Sequence, residues 1–357
     1  MDLVASREGR LGRILLNRPQ ALNTLTLPMV REFRRAIDDF GSDAGICAVL
    51  VTGAGDRGLC AGGDVRSLYE LEPSQKRLFA DFWREEYELN ARIASFPKPY
   101  VAIMDGIVMG GGVGISAHGD RRVVTERSRI AMPEVGIGFF PDVGATWLLS
   151  KGRELGAYMA LSAASVTAAD AIEAGLADLM IHSQDIAPLI GDLATIGGAE
   201  DVDAALRRRM RQPEPGKLSP HRRVLAAATA HEKVADIIAA FEREASEFSL
   251  RAAEDIKSKS PTALKVTRAL LRRAEEAPDL ETCLMREFRT ACRMLATHDL
   301  YEGIRAAIID KDRRPRWSPD SLDLVSDETV EDILAGDDTP RPAFKSWDCT
   351  PYSAWTG

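Results

Sequence analysis

Nowhere in this sequence do 18 apolar residues run without interruption, and the first residues, MDLVASREGRLG, lack an apolar signal core. A membrane-spanning helix is therefore not expected, and a cytosolic protein is. Cysteine is scarce: Cys47, Cys60, Cys283, Cys292 and Cys349 are odd in number and form neither a CxxC pair nor a Cys/His cluster. Both a disulfide framework and a zinc or other metal site are disfavoured by that spacing. Positive charge is in deficit, with 46 Lys plus Arg against 54 Asp plus Glu and a net charge of −8. Nucleic acid is not an expected partner, because neutralising phosphates needs a basic face. The longest basic run, RRRMR (Arg207 to Arg211), reads as a solvated helix face.

What is present is the composition of a globular protein, 45% hydrophobic and 28% charged over 357 residues. That length exceeds a typical single domain, so a large core with an appended region is expected. GRILLN (Gly12 to Asn17), AVLVTG (Ala48 to Gly53) and PYVAIMDG (Pro99 to Gly106) are short apolar runs that read as strands. Between them lie helical patterns. Thr26 is placed to cap a helix carrying Met29, Val30, Phe33, Ile37 and Phe40, and a long helix is predicted from about Val65 to Ser95. VTAADAIEAGLADLMI (Val166 to Ile181) reads as one more unit, with Thr167 as cap and Gly175 as left-handed stop. Strands separated by helices predict α/β architecture with a largely parallel, covered sheet. From about Ile186 the pattern turns helical, with a break at QPEPGKLSP. The expected division is a core over residues 1–200 and a mainly helical region over 201–357, whose tail after DRRPRWSP is expected to pack loosely.

Two glycine clusters, LCAGGD (Leu59 to Asp64) and MGGGVG (Met109 to Gly114), each lie between a strand and a helix, the second expected as VGISAHG. Backbone N–H groups at a helix start lack partners, and glycine lets a ligand approach them. Two such sites can offer two donors to one developing oxyanion. GVGISA (Gly112 to Ala117) formally fits a dinucleotide fingerprint, but about six residues separate it from the preceding strand, so a nicotinamide or flavin site is not adopted. MPEVGIGFFPDVG sets Glu134 and Asp142 in an otherwise apolar, Gly- and Pro-rich segment. A desolvated carboxyl has a raised pKa, which suits a general acid or base near neutral pH; Asp142 can alternatively cap VGATWLLSK. Cys60 reads as a small buried hydrophobe and His118 as structural.

LCAGGD, DGIVMGGGVGISAHG and RIAMPEVGIGFFPDVGATWLL, in this order and spacing, resemble the enoyl-CoA hydratase/isomerase, or crotonase, superfamily. REEYELN (Arg84 to Asn90) and EGIRAAIIDKDRRPRW (Glu302 to Trp317) bring the likeness closest to its 3-hydroxyisobutyryl-CoA hydrolase branch. The resemblance implies a spiral of βαβ units that binds acyl-CoA and holds its thioester carbonyl by the N–H groups of Gly63 and Gly111. It implies Glu134 as the catalytic carboxylate, Asp142 as the branch's second acid and Glu86 as a substrate contact. Gly114 stands where hydratases carry a second catalytic glutamate. The expected activity is thus hydrolysis of an acyl-CoA, with hydration or isomerisation on the same scaffold as the alternative. No cofactor is expected beyond the coenzyme A of the substrate. Valine degradation and a homo-oligomer are further expectations of the likeness.

Overall fold

The computed structural model describes residues 1–72, 75, 79–345, 347, 352–353 and 355. Strands β1 (Leu3–Glu8) and β2 (Leu11–Leu16) form an antiparallel hairpin. There follow β3 (Ala48–Gly53), β4 (Gly58–Cys60), β5 (Tyr100–Met104), β6 (Ile107–Met109), β7 (Arg121–Val124), β8 (Arg129–Ala131) and β9 (Leu179–Met180). They divide into two sheets, ordered β1-β2-β3-β5-β7-β9 and β4-β6-β8, and all these later pairings are parallel. The chain alternates between sheets, β3 to β4, β5 to β6 and β7 to β8, so each turn of a spiral adds one strand to each. The α/β class with a parallel sheet is as the sequence predicts. The hairpin strand β1 is an addition, because its polar LVASRE run carries no clear apolar pattern.

Both faces of the larger sheet are covered, which explains its apolar runs. Val49 and Val51 of β3 point into the main core, whereas Ala48 and Leu50 join Val101, Ile103, Leu189, Leu193, Val202 and Leu206 on the other face. Helices α1 (Leu27–Ser42), α2 (Val65–Glu70), α3 (Phe79–Ala94), α4 (Gly111–Gly114), α5 (Ala145–Lys151), α6 (Arg153–Ser162) and α7 (Ala168–Glu173) belong to the spiral. Then come α8 (Ile186–Ala194), α9 (Glu200–Arg209), α10 (Arg222–Thr229), α11 (Val234–Glu244), α12 (Glu247–Lys257), α13 (Pro261–Glu275), α14 (Leu280–Met294), α15 (His298–Ile304) and α16 (Asp327–Ala335). The basic end of α9 folds onto α8, where Arg209 donates to Asp192 at 2.7 Å. Helices α13 to α15 share the main core with the spiral, through Leu264, Leu284, Phe288 and Leu300.

Thr26 caps α1 as expected, its side chain accepting from the Met29 N–H. Four local expectations are corrected. The predicted Val65 to Ser95 helix is two helices, because Leu71 is extended two residues before Pro73, which cannot donate to a helical ladder. VGISAHG does not form the predicted helix: α4 begins at Gly111 and stops at Gly114, where glycine content is high, and the Ser116 hydroxyl donates back to the Gly112 carbonyl. Thr167 precedes α7 without a side-chain cap bond, although Gly175 does adopt φ +74°. The first part of the tail is ordered, since α16 is capped by Ser326 and buries Val330, Ile333 and Leu334 against the helical region; the last residues of the tail lie partly outside the described residues. Cys47, Cys60 and Cys283 are free thiols, Cys292 is buried, and Cys349 lies outside the described residues.

Candidate active site

The smaller sheet explains why distant motifs meet. Its strands β4, β6 and β8 lead at their C-terminal ends into Ala61-Gly62-Gly63, Gly110-Gly111 and Met132-Pro133-Glu134 respectively. Ligands in open α/β sheets bind outside those strand ends. Gly63, Gly111, Glu134, Asp142 and Glu86 all line one cavity of about 810 Å³ there. Among the described residues, nothing in the protein accepts the N–H of Gly63 or Gly111. Gly111 starts α4, so its donor is one of those a helix leaves without an internal partner. The two donors are close: a Cβ built on Gly111 would stand 3.4 Å from the Gly63 nitrogen. Glu134 opens a short 3-10 turn, Glu134–Ile137, and its Oε1 lies 2.9 Å from where a Cβ on Gly110 would be.

Glu134 is 7% exposed, Asp142 6% and Glu86 2%. Glu86 is therefore a pocket residue rather than a solvated helix carboxylate. Apolar walls surround the three; Trp83 stacks on Phe139 with ring centroids 5.1 Å apart, and both rings line the cavity. Desolvation, then the charge of Asp142, pushes the Glu134 carboxyl well above its usual range, and Glu86 is raised by the same two causes in the same order. Asp142 is itself raised by burial, to about 7, although the Tyr87 hydroxyl donates to its Oδ2 at 2.6 Å and so favours the charged form. Oε2 of Glu134 and Oε1 of Glu86 accept no bond among the described residues, which leaves two acceptors aimed at whatever enters.

Asp142 does not cap α5. That task falls to Glu287 of α14, fully buried, whose Oε2 accepts from the Gly144 N–H at 2.6 Å and whose Oε1 accepts from the N–H and hydroxyl of Thr146 at 3.0 and 2.5 Å. Burial raises Glu287 to about 8. His118 donates from Nε2 to the Val143 carbonyl at 2.7 Å, with its pKa lowered by burial to about 4, so it is a neutral structural contact as expected. Cys60, raised by burial to about 12, is an inert packed thiol. Tyr87 and Glu287 support the site, and Asn90 crowds the Gly114 position, none of which sequence patterns revealed. Asn90 sits four residues past Glu86 within REEYELN, on the same helix face, and that spacing was its available signal, whereas Tyr87 directly follows Glu86 and carried none of this kind. Glu287 carried none, since its partners lie more than 140 positions away.

The mouth of the cavity is basic, with Arg18, Arg57, Arg66, Lys259 and Lys311 in its lining. Arg18 is partly committed, holding Asp64 at 3.2 Å beside the first glycine loop and donating to the Thr24 carbonyl at 2.7 Å.

A sequence model of the enoyl-CoA hydratase/isomerase family matches residues 11–334. A 3-hydroxyisobutyryl-CoA hydrolase, mitochondrial, of Mus musculus is 38% identical over 92% of this chain and 87% of its own length. The crystal structure of a carnitinyl-CoA dehydratase from Mycobacterium thermoresistibile superposes with a TM-score of 0.90 at 43% identity, covering 96% of this chain and 99% of that one. An enoyl-CoA hydratase from Rhodobacter sphaeroides gives 0.87 at 37% identity, covering 94% and 98%. These names span hydrolysis and hydration or its reverse at similar identity, so the likeness alone does not choose the reaction.

Proposed function

The chain belongs to the enoyl-CoA hydratase/isomerase family, and from that premise we propose that it hydrolyses a short acyl-CoA thioester, with 3-hydroxyisobutyryl-CoA the expected substrate. The observation that carries this reading is the closed slot at Gly114. A Cβ there would stand 2.8 Å from Val143 Cβ and 2.9 Å from Asn90 Nδ2, so no second acid can project from α4. Asp142, on the turn next to Val143, supplies the second acid of the cavity instead.

In this reading the thioester carbonyl oxygen sits between the Gly63 and Gly111 N–H groups, which take up the charge of the tetrahedral intermediate. Glu134 removes a proton from water as its oxygen attacks the carbonyl carbon. Collapse breaks the C–S bond, and the proton returns from Glu134 to the departing CoA sulfur, giving free acid and thiol. A covalent variant, in which Glu134 itself attacks and water cleaves the anhydride, uses the same oxyanion site and is recognised by solvent oxygen entering Glu134 in a single turnover. Asp142, fixed by Tyr87, orients the acyl hydroxyl, and Glu86 lines the same end. The basic mouth receives the CoA phosphates. No cofactor is required, so treatment with a chelator leaves turnover unchanged.

The names of the two solved relatives favour a second reading, addition or elimination of water. Free thiol and enoyl absorbance followed together, on 3-hydroxyisobutyryl-CoA and on crotonyl-CoA, separate the two. Thiol release from the first is expected; enoyl loss without thiol overturns the hydrolase. A further expected result concerns the slot. Gly114→Glu does not install hydration but overpacks the core, lowering stability by roughly 1–3 kcal/mol or more, read as a fall in Tm with no gain on crotonyl-CoA. A cytosolic setting, a step in valine degradation and a homo-oligomer belong to the same proposal. The first stands against the mitochondrial setting in the mouse relative's name, and cell fractionation tests it.

A further inference from the structure

The turn that carries Asp142 is not a relaxed one. Val143, a β-branched residue, has φ +56°, and Gly144 follows at φ +78°. A left-handed conformation is uncommon outside glycine and is most strained for β-branched side chains, so it persists only where surrounding contacts impose it. Left to itself, the segment has an easier arrangement. Asp142 lies two residues before Gly144, the cap position of α5, and is the acid nearest in sequence to the first N–H groups of that helix, which need acceptors.

Two things prevent this. Glu287 already occupies the N–H groups of Gly144 and Thr146, and His118 holds the Val143 carbonyl. The next residue on α14, Phe288, packs edge-on against the ring of Tyr87, at 6.3 Å between centroids, and Tyr87 is the donor that fixes the Asp142 carboxyl. Adjacent residues of one helix thus hold both supports of Asp142. We propose that Glu287 is a positioning residue for turnover: by capping α5 from a distant helix it releases Asp142 from that duty and keeps its carboxylate facing the cavity. The inference rests on the site assigned above but not on which acyl-CoA reaction the site performs.

Glu287→Gln tests it, because the amide has nearly the same shape but its NH2 must face one of the N–H donors. The expected result is a fall in kcat of about tenfold or more, with KM for the acyl-CoA nearly unchanged. With Asp142→Asn already in place, the same substitution should add little, since its effect passes through that residue. A crystal structure of Glu287→Gln should show the Asp142 carboxylate turned away from Tyr87 toward the N–H groups of α5. An unchanged kcat, losses that multiply independently in the double variant, or Asp142 still on Tyr87 would each overturn the proposal. Should Glu287→Gln not fold, Thr146→Val removes only the hydroxyl donor and is expected to give a smaller loss of the same kind; no loss counts against the role. If the wild type hydrates crotonyl-CoA instead of releasing thiol, the hydrolase reading fails, and the cycle is run on that reaction with the same criteria.

Discussion

Glu134→Gln is expected to lower thioester turnover by roughly 10²–10⁴-fold, the usual worth of a positioned general base, while CoA-ester binding survives. The amide keeps the size and polarity of the side chain beside Gly110, so the cavity is unchanged and only proton transfer is lost. The wild type should show a characteristic pH profile. Its base works when ionised, and Glu134 is held well above the ordinary carboxylate range by burial and by Asp142. Turnover should therefore rise with pH through a limb displaced above about 4.3, the value of a free glutamate. A limb at the free value, or a Gln variant as active as the wild type, would remove Glu134 from the role.

The same substitution should affect stability in the opposite direction. A carboxyl whose folded pKa is raised binds its proton more tightly in the native state than in the unfolded one. The stability it contributes is fully present below the unfolded carboxylate range and is lost as pH rises through the folded value. Asp142 at about 7 and Glu287 at about 8 place that loss across neutral pH, and Glu86 and Glu134 act in the same direction. The wild type should thus melt at a lower temperature near pH 8 than near pH 5.5. Glu134→Gln, with one fewer buried charge to form, should lose less over that interval. Parallel melting curves for the two proteins across that pH range would contradict the shared burial of these acids.

Gly111→Ala is the second large effect. The added methyl group would run into Oε1 of Glu86 and stand 3.1 Å from Leu25 Cδ1 and 3.4 Å from the Gly63 nitrogen. It fills the place between the two donors where the carbonyl oxygen has to sit. Loss of a single oxyanion donor costs about 2.7–4 kcal/mol of transition-state stabilisation, or roughly 10²–10³ in kcat, and obstruction of both should reach at least that. Gly191→Ala is the control, since Gly191 lies within α8 with open space around its Cβ position. A Gly111→Ala enzyme that retains its rate would show that the carbonyl is bound elsewhere.

The glycine loops and the Glu134 to Asp142 segment could be read from the sequence because each is local. Glycine beside a strand end marks a close approach, and an acid among apolar neighbours marks a perturbed carboxyl. Glu287 shows what such reading omits. On an amphipathic helix an acid looks like a solvated side chain, and only the fold reveals that it is buried against N–H donors from another part of the chain. Asp142 shows the converse: its alternative reading as a local cap was plausible, and Glu287, from a distant helix, takes that role instead. Within the tail, α16 was missed because Asp327 and Glu328, which suit its first turn, hide the buried Val330, Ile333 and Leu334 behind them.

The strands β4, β6 and β8 act together as a ruler. Neighbouring strands in any sheet lie about 4.8 Å apart, a pitch set by backbone hydrogen bonding and indifferent to side chains. Cys60 pairs with Val108 and Met109 with Ala131, so the ruler's marks end within one residue of each other. Two donors and an acid thus leave three neighbouring strands at nearly the same level, two or three residues beyond each strand end. Residues just beyond each mark are then free to vary one at a time, and a change of chemistry at one of them leaves the spacing of the other two intact.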